Sequence, residues 1–121
     1  MTVTEDTDRP DRLSIAQRMA GDVRIVTVQG EIDNDVKDAL SQALLPKDGE
    51  IRPRIVADLS GVTFMDSSGI NVFVAAHQAV SGNQGWLRIA APQEPVLLVL
   101  QMVGVDTLIT CHPSIEQALN P

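Results

Sequence analysis

The sequence predicts a single α/β domain. Short stretches rich in β-branched residues alternate with segments whose apolar residues recur at helical spacing, a pattern typical of helices packed on a sheet. The chain has 121 residues, enough for one domain, and 44% of them are hydrophobic, so a core can be buried. Because only 2% are aromatic, we expect that core to consist mainly of Val, Ile, Leu and Ala.

The first half of the chain is predicted to contain three strands and a helix. Residues 1–12 have almost nothing to bury, so we expect a flexible tail there and a folded domain over residues 13–121. Gly21-Asp22 is a hairpin turn signal between two stretches with apolar residues at period two, which favours an antiparallel pair. The predicted elements are strands over 13–20 and 23–29, a helix over 35–45 and a central strand over 54–59.

The second half is predicted to alternate helices with shorter strands. The predicted elements are helices over 68–80, 95–103 and 114–119 and strands over 86–90 and 108–111. Cap and stop signals bound these helices, namely Asp66 and Ser67, Gly82, Pro95, Gly104, and Ser114 with Gln117. The element order is ββαβαβαβα if residues 108–111 form a strand and ββαβαβαα if they do not.

The charge and composition exclude several classes of function. A formal net charge of −7 repels phosphate backbones and anionic lipid headgroups, so we expect neither a nucleic-acid nor a membrane partner. No apolar run approaches the roughly 20 residues that span a bilayer, and the amino-terminal residues lack the order of a secretory signal. The lone Cys111 cannot form an intramolecular disulfide. Together these features predict a soluble protein of the cytoplasm.

Metal and cofactor chemistry are not predicted. Cys111 and His112 are adjacent and His77 is distant in sequence, so the three lack the spacing of metal ligands. His77 falls on the side of Ile70 and Val74 and is predicted to be a half-buried packing residue. Because no Walker pattern or Gly-rich phosphate loop is present, we expect no cofactor and no enzymatic activity.

The run Asp66-Ser67-Ser68-Gly69 is the main candidate for a functional site. By spacing alone it is typical of a helix cap, since Ser and Asp are preferred at that position. It also follows the predicted central strand, and α/β sheets place functional loops at the carboxyl ends of strands. A phosphate on Ser67 would lie at a helix amino end, where the amide dipoles favour an anion. A structural cap and a modification site both fit these residues.

The residues around this run resemble a known family. Residues Val56 to Ile70, with the run Asp66-Ser67-Ser68-Gly69 near their end, are similar to the STAS domains of bacterial anti-sigma-factor antagonists. The resemblance extends to Gly30-Glu31-Ile32-Asp33, Gly85-Trp86-Leu87-Arg88 and Met102-Val103-Gly104-Val105, so it covers most of residues 13–119. It implies a STAS-like fold, with a central mixed sheet of four to five strands and about four helices packed mainly on one side.

The resemblance also implies a mechanism. In that family an ATP-dependent anti-sigma factor phosphorylates the first serine after the aspartate, which falls on Ser67, with Ser68 the runner-up. The unphosphorylated form would bind the anti-sigma factor and free a sigma factor, phosphorylation would weaken that binding, and a serine phosphatase would reset the switch. Asp33 is implied to lie near the phosphorylation loop as a contact residue. The predicted partner-binding residues are Asp33, Asp66, Ser67, Ser68, Gly69, Asn71, Val72 and Ala75. The residues do not specify the oligomeric state, and a monomer or a weak dimer both fit.

The helix after the run has apolar residues on two sides. Ile70, Phe73, Val74 and Val80 form one face, and Val72, Ala75 and Ala79 fall roughly opposite. The second face could let a partner helix approach closely, or the helix could be buried between two layers.

Two rival functions remain. A serine hydrolase could use Ser67 as its nucleophile, but Met65 stands where a nucleophile elbow has its first glycine, and neither His77 nor His112 can be assigned as a base. A STAS-like interaction subunit of a transporter or a stress-signalling assembly would keep the fold and change the partner. No membrane segment or added domain supports it.

Overall fold

The computed structural model describes residues 13–121, and the predicted tail over residues 1–12 lies outside them. The described elements, in chain order, are β1 (Leu13–Ala20), β2 (Val23–Ile32), α1 (Lys37–Leu44), β3 (Arg54–Met65), α2 (Ser67–Gly82), β4 (Trp86–Ala90), α3 (Glu94–Met102), a 3₁₀ helix (Val105–Thr107), β5 (Cys111–His112) and α4 (Ile115–Leu119). The chain therefore adopts the longer of the two predicted element orders.

The five strands form one mixed sheet in the order β1-β2-β3-β4-β5. β1 pairs antiparallel with β2 around the Gly21-Asp22 turn, whereas the other three pairings are parallel. Parallel neighbours need a crossover connection, and α1, α2 and α3 lie in those three connections. The predicted α/β class, with a mixed sheet and about four helices, is confirmed.

The helices cover the two faces of the sheet unequally. Successive side chains of a strand point to opposite faces, so Ile55 and Ala57 of β3 enter the larger core while Val56 enters the smaller one. The larger core contains side chains from α1, α2 and α3, and Ala118 of α4 closes the smaller core. The expectation that the helices pack mainly on one side is confirmed. Over residues 13–121, no helix has both the length and the apolar character that crossing a bilayer demands.

Several element boundaries differ from the prediction, and those of β2, which ends at Ile32 and not at residue 29, of β3 and of α1 affect the candidate site. β3 extends beyond its predicted end to Met65, because it continues to pair with β2 as far as Ile32 across two register shifts. α1 begins at Lys37 rather than at Asp35, because the Asp35 amide donates to Asp33 Oδ1 in a turn that precedes the helix. The loop after β2 and the start of α2 consequently meet at one edge of the sheet.

The strand predicted over residues 108–111 is misplaced. Val105–Thr107 forms a 3₁₀ helix, and the amides of Leu108 and Ile109 both donate to the Val105 carbonyl at 2.9 Å. Ile109 is fully buried in the larger core, so packing favours this helical turn over an extended segment. β5 itself is limited to Cys111–His112.

A buried arginine fixes α1 against the sheet. Arg24 of β2 is only 3% exposed, and its guanidinium donates to the carbonyl oxygens of Ala43 and Leu45 at the end of α1. It also forms an ion pair with Glu50 at 3.3 Å. A cation at this position satisfies carbonyl groups that a helix end leaves without intrahelical partners. Sequence patterning did not identify this contact, since an arginine in a strand is usually read as solvent-exposed.

Candidate functional site

Two loops meet at the carboxyl ends of the parallel strands β2 and β3. The amide of Asp66, which follows β3, donates to the carbonyl oxygen of Ile32, the last residue of β2, at 3.1 Å. Asp33, Asn34 and Asp35 continue from Ile32, so the loop after β2 lies beside the start of α2. This is the edge at which open α/β sheets usually carry their functional residues.

Asp66 caps α2. Its backbone is extended, with φ −105° and ψ −169°, and its side chain accepts a hydrogen bond from the Ser68 amide at 2.8 Å. The Asp66 carbonyl accepts from the Gly69 and Ile70 amides and so begins the helical hydrogen bonding. The cap predicted at this position is confirmed, and it presents the partial positive charge of a 16-residue helix at Ser67.

The two adjacent serines have different environments. Ser67 is the first residue of α2 and its side chain is exposed. Ser68 is half-buried, and its hydroxyl donates to Asn34 Oδ1 at 3.5 Å. The residues alone did not separate the serines, but the structure distinguishes them by access and by hydrogen bonding.

Asp33 lies in the neighbouring loop, as the resemblance implied. Its carboxylate accepts from the Asp35 amide at 3.0 Å and its carbonyl accepts from the Val36 amide at 3.2 Å. An aspartate that bonds the backbone two residues ahead is a common turn former. Asp33 is half-buried in this loop.

A groove of about 280 Å³ runs between α1 and α2 and starts at these loops. We call it the α1–α2 groove, and its lining residues are Asn34, Lys37, Asp38, Ser41, Ser68, Asn71, Val72 and Ala75. Four of these are among the predicted partner-binding residues. The sequence analysis did not identify the side of the groove that Asn34 and α1 form. The parallel-sheet rule could have found Asn34, since it comes directly after a strand that neighbours the central one.

Two of the predicted partner-binding residues are packed rather than displayed. Gly69 is buried, and a Cβ atom there would lie 2.6 Å from Met65 Cγ and 2.7 Å from Ile32 Cγ2. Val72 is 7% exposed and belongs to the larger core, so at this position the helix is buried between two layers, the second of the two alternatives that the sequence left open. The reason is that α1 packs against this side of α2 and covers it.

The exposed side of α2 is narrower than predicted. Ser67, Asn71 and Ala75 are exposed and recur every four residues, so they form a single stripe along the helix. Ala79, the next residue in this series, is half-buried. This exposed side continues past Ala75 to Gln78 and Gly82, and the stripe of Ser67, Asn71 and Ala75 forms its first two turns.

The histidines and the cysteine lie outside this site. His77 is half-buried, as predicted, and within residues 13–121 its Nδ1 atom is buried with no hydrogen-bond partner. Two effects raise the pKa of the Cys111 thiol to about 11. Burial is the larger, and the negative charge of Asp106 is the smaller. That thiol is consequently protonated at neutral pH. Over the described part of the chain, His, Cys, Asp and Glu side chains form no group of three that could hold a metal ion.

Known proteins are similar to this chain in both sequence and fold. The family model of the STAS domain matches residues 14–118. The chain is 28% identical over 101 residues to an anti-sigma F factor antagonist of Paenibacillus polymyxa, an alignment that covers 80% of this chain and 84% of the relative. It is also 28% identical over 91 residues to an anti-sigma-B factor antagonist of Staphylococcus epidermidis, covering 75% of this chain and 84% of the relative.

A solved structure extends the similarity to three dimensions. The crystal structure of an anti-sigma factor antagonist from Mycobacterium paratuberculosis superposes with a TM-score of 0.77 and 26% sequence identity. The superposition covers 91% of this chain and 93% of that one.

Proposed function

The chain belongs to the STAS domain family, and from this premise we propose that it is an anti-sigma-factor antagonist that phosphorylation of Ser67 switches off. In its unphosphorylated form it binds an anti-sigma factor and thereby frees a sigma factor. The observation that carries the proposal is the exposed hydroxyl of Ser67 at the capped amino end of α2. The names of the two relatives and of the solved structure support the same role.

Ser67 is the proposed phosphate acceptor because it combines access with a favourable local field. A phosphate there would lie at the amino end of α2, whose dipole favours an anion, while the Ser68, Gly69 and Ile70 amides stay bonded to Asp66. The domain can accordingly carry the phosphate without a change of fold. Ser68 has the same field, but it is half-buried and hydrogen-bonded to Asn34.

The proposed docking surface extends from Ser67 along the exposed stripe of α2. Asn71 and Ala75 offer a small amide and a methyl group, so a partner helix can approach this side closely. Asp33 and Asp66 border the stripe at its amino end, where both are half-buried. Gly69 and Val72 contribute from beneath by holding α2 against the sheet and α1. The predicted partner-binding set therefore divides into residues that contact the partner and residues that support them.

Phosphorylation weakens docking through charge. A phosphate adds about −1.5 to −2 charges beside Asp66, in a surface that loses water when the partner binds. Like charges brought together at an interface cost on the order of 1 to 3 kcal/mol, which lowers affinity by about five- to 150-fold. A change of that size switches partners without any rearrangement of the sheet.

In this proposal the chain is a kinase substrate and not an enzyme. The anti-sigma factor acts as a serine kinase, which binds Mg-ATP and transfers its γ-phosphoryl group to Ser67. A serine phosphatase removes that phosphate again. The rival hydrolase needs a base beside Ser67, but His77 lies ten residues further along the same helix, about 15 Å away along its axis. That distance rules out a direct hydrogen bond between the two side chains, and hence His77 as the base for Ser67.

Intact-mass spectrometry after incubation with the co-purified anti-sigma kinase and Mg-ATP tests the acceptor. We expect one phosphate on the unaltered chain and on Ser68→Ala, and none on Ser67→Ala. Unchanged incorporation in Ser67→Ala would reject the assignment. Recovery of the chain with a membrane complex, and not with an anti-sigma kinase, would instead favour an interaction subunit of a transporter.

A further inference from the structure

We propose that Asn34 is a positioning residue that makes Ser67, and not Ser68, the phosphate acceptor. This inference rests on the proposed function and concerns how the site discriminates between two neighbouring hydroxyls. The side-chain oxygen of Asn34 accepts the hydrogen of Ser68 Oγ at 3.5 Å, across the gap between the loop after β2 and the first turn of α2. Asn34 itself takes no part in the transfer.

The local field cannot make this selection. Ser67 and Ser68 are consecutive residues of the first turn of α2, so the same helix dipole and the same Asp66 carboxylate act on both. Their hydroxyl groups are also chemically identical. What separates them is that Ser67 is exposed, whereas Ser68 is half-buried and lines the α1–α2 groove with Asn34.

Phosphoryl transfer explains why the hydrogen bond matters. The acceptor oxygen attacks the γ-phosphorus of ATP, the bond from that phosphorus to the β-bridging oxygen breaks, ADP leaves, and the hydroxyl proton passes to a base of the kinase. The acceptor must therefore direct its proton at the kinase and its oxygen at the phosphorus. Ser68 directs its proton at Asn34 and its oxygen into the groove, while Ser67 is open to solvent.

The test removes Ser67 and asks whether Ser68 can replace it. The full chain carrying Ser67→Ala is compared with Ser67→Ala/Asn34→Ala, using the anti-sigma kinase that co-purifies with the unaltered chain and ³²P-labelled Mg-ATP. Peptide mapping locates the phosphate. We expect about two- to threefold more phosphate on Ser68 in the double variant, the lower end of what loss of one neutral hydrogen bond produces, because an exposed contact of 3.5 Å is long for O–H···O. Ser67→Ala/Asn34→Asp keeps an acceptor oxygen and should stay as low as Ser67→Ala.

Two further arms make the result decisive. Asn120→Ala removes an exposed amide at the far carboxyl end of the chain and should change nothing in the Ser67→Ala background. In ¹H–¹⁵N spectra, the Asn34 side-chain amide should shift more with Ser68→Ala than with Ser67→Ala. Equal shifts in the two variants would overturn the role of Asn34. So would equal phosphate on Ser68 in the double variant and in Ser67→Ala, provided that Ser67 of the unaltered chain is phosphorylated. Neither result would contradict the proposed function. No phosphate on the unaltered chain would overturn the proposed function and this inference together.

Discussion

The amide of Asp66 donates a hydrogen bond to the carbonyl oxygen of Ile32, and this contact continues the pairing of β2 with β3 one residue past the end of β3. Because β2 and β3 run parallel, the residues after both strands emerge at the same edge. Asn34 is thereby placed beside Ser68, 34 residues later in the chain. The site depends on this junction as much as on the serines themselves.

Removing the cap should loosen the start of α2. In Asp66→Ala the Ser68 amide loses its side-chain acceptor, and we expect a loss of about 1 kcal/mol in the free energy of unfolding. Asp66→Ser restores a capping oxygen and should recover most of it. Urea denaturation followed by circular dichroism measures both. An Asp66→Ala variant as stable as the unaltered chain would show that the cap has no energetic role.

Gly69 is predicted to be required for packing. In Gly69→Ala the new methyl group would lie 2.6 Å from Met65 Cγ and 2.7 Å from Ile32 Cγ2, so the helix or those side chains must move. Overpacking of this kind costs about 1 to 3 kcal/mol, which outweighs the gain of up to about 1 kcal/mol in helix propensity.

The matched control for Gly69 lies in the same helix. A Cβ atom at Gly82, the last residue of α2, meets nothing within 4 Å, so Gly82→Ala should be neutral or slightly stabilising. Thermal unfolding of the two variants gives the comparison. If Gly69→Ala and Gly82→Ala shift the melting temperature equally, steric contact does not explain the effect of Gly69→Ala.

Arg24 is predicted to be the most sensitive charged residue. Arg24→Ala would leave two carbonyl groups at the end of α1 without their donor and leave Glu50 without its partner. Breaking a buried pair on one side costs about 3 to 5 kcal/mol. Arg54 provides the control, since its ion pair with Asp22 at 3.5 Å is exposed and should contribute less than about 1 kcal/mol. In chemical denaturation, the loss in the free energy of unfolding should therefore be several-fold larger for Arg24→Ala than for Arg54→Ala.

The fold was predictable wherever local pattern and tertiary packing agree. The hairpin around Gly21-Asp22 and the strand Trp86–Ala90 lie where turn chemistry and alternation predicted them. The strand predicted around Ile109 was wrong because an apolar residue buried beside a 3₁₀ helix looks the same in sequence as one buried in a strand. Burial specifies that a residue is apolar, but it does not specify the backbone around it.

The candidate site was predictable in part. The cap at Asp66 follows from residue preference alone, whereas the partnership of Ser68 with Asn34 depends on strands that are far apart in sequence. The burial of Val72 stayed open as one of two alternatives, because helical periodicity identifies faces without saying which neighbouring element covers each of them. Long-range pairing of this kind requires the register of β2 against β3. Both strands are buried on both faces, so their near-continuous apolar runs do not show which residue pairs with which.

A charge at Ser67 should separate stability from binding. Ser67→Glu places a carboxylate in the first turn of α2, where the helix dipole stabilises it by about 0.3 to 1 kcal/mol, so the free domain should become slightly more stable. The same charge should weaken binding to the anti-sigma factor, measured by calorimetry, because it opposes docking beside Asp66. Ser81→Glu is the control: Ser81 is exposed in the last turn of α2, where a negative charge is unfavourable, and it lies 14 residues, about 21 Å along the helix axis, from Ser67. Stability should fall slightly there while affinity is unchanged. If Ser67→Glu instead destabilised the domain in step with its loss of affinity, the switch would act through the fold and not through charge at the interface.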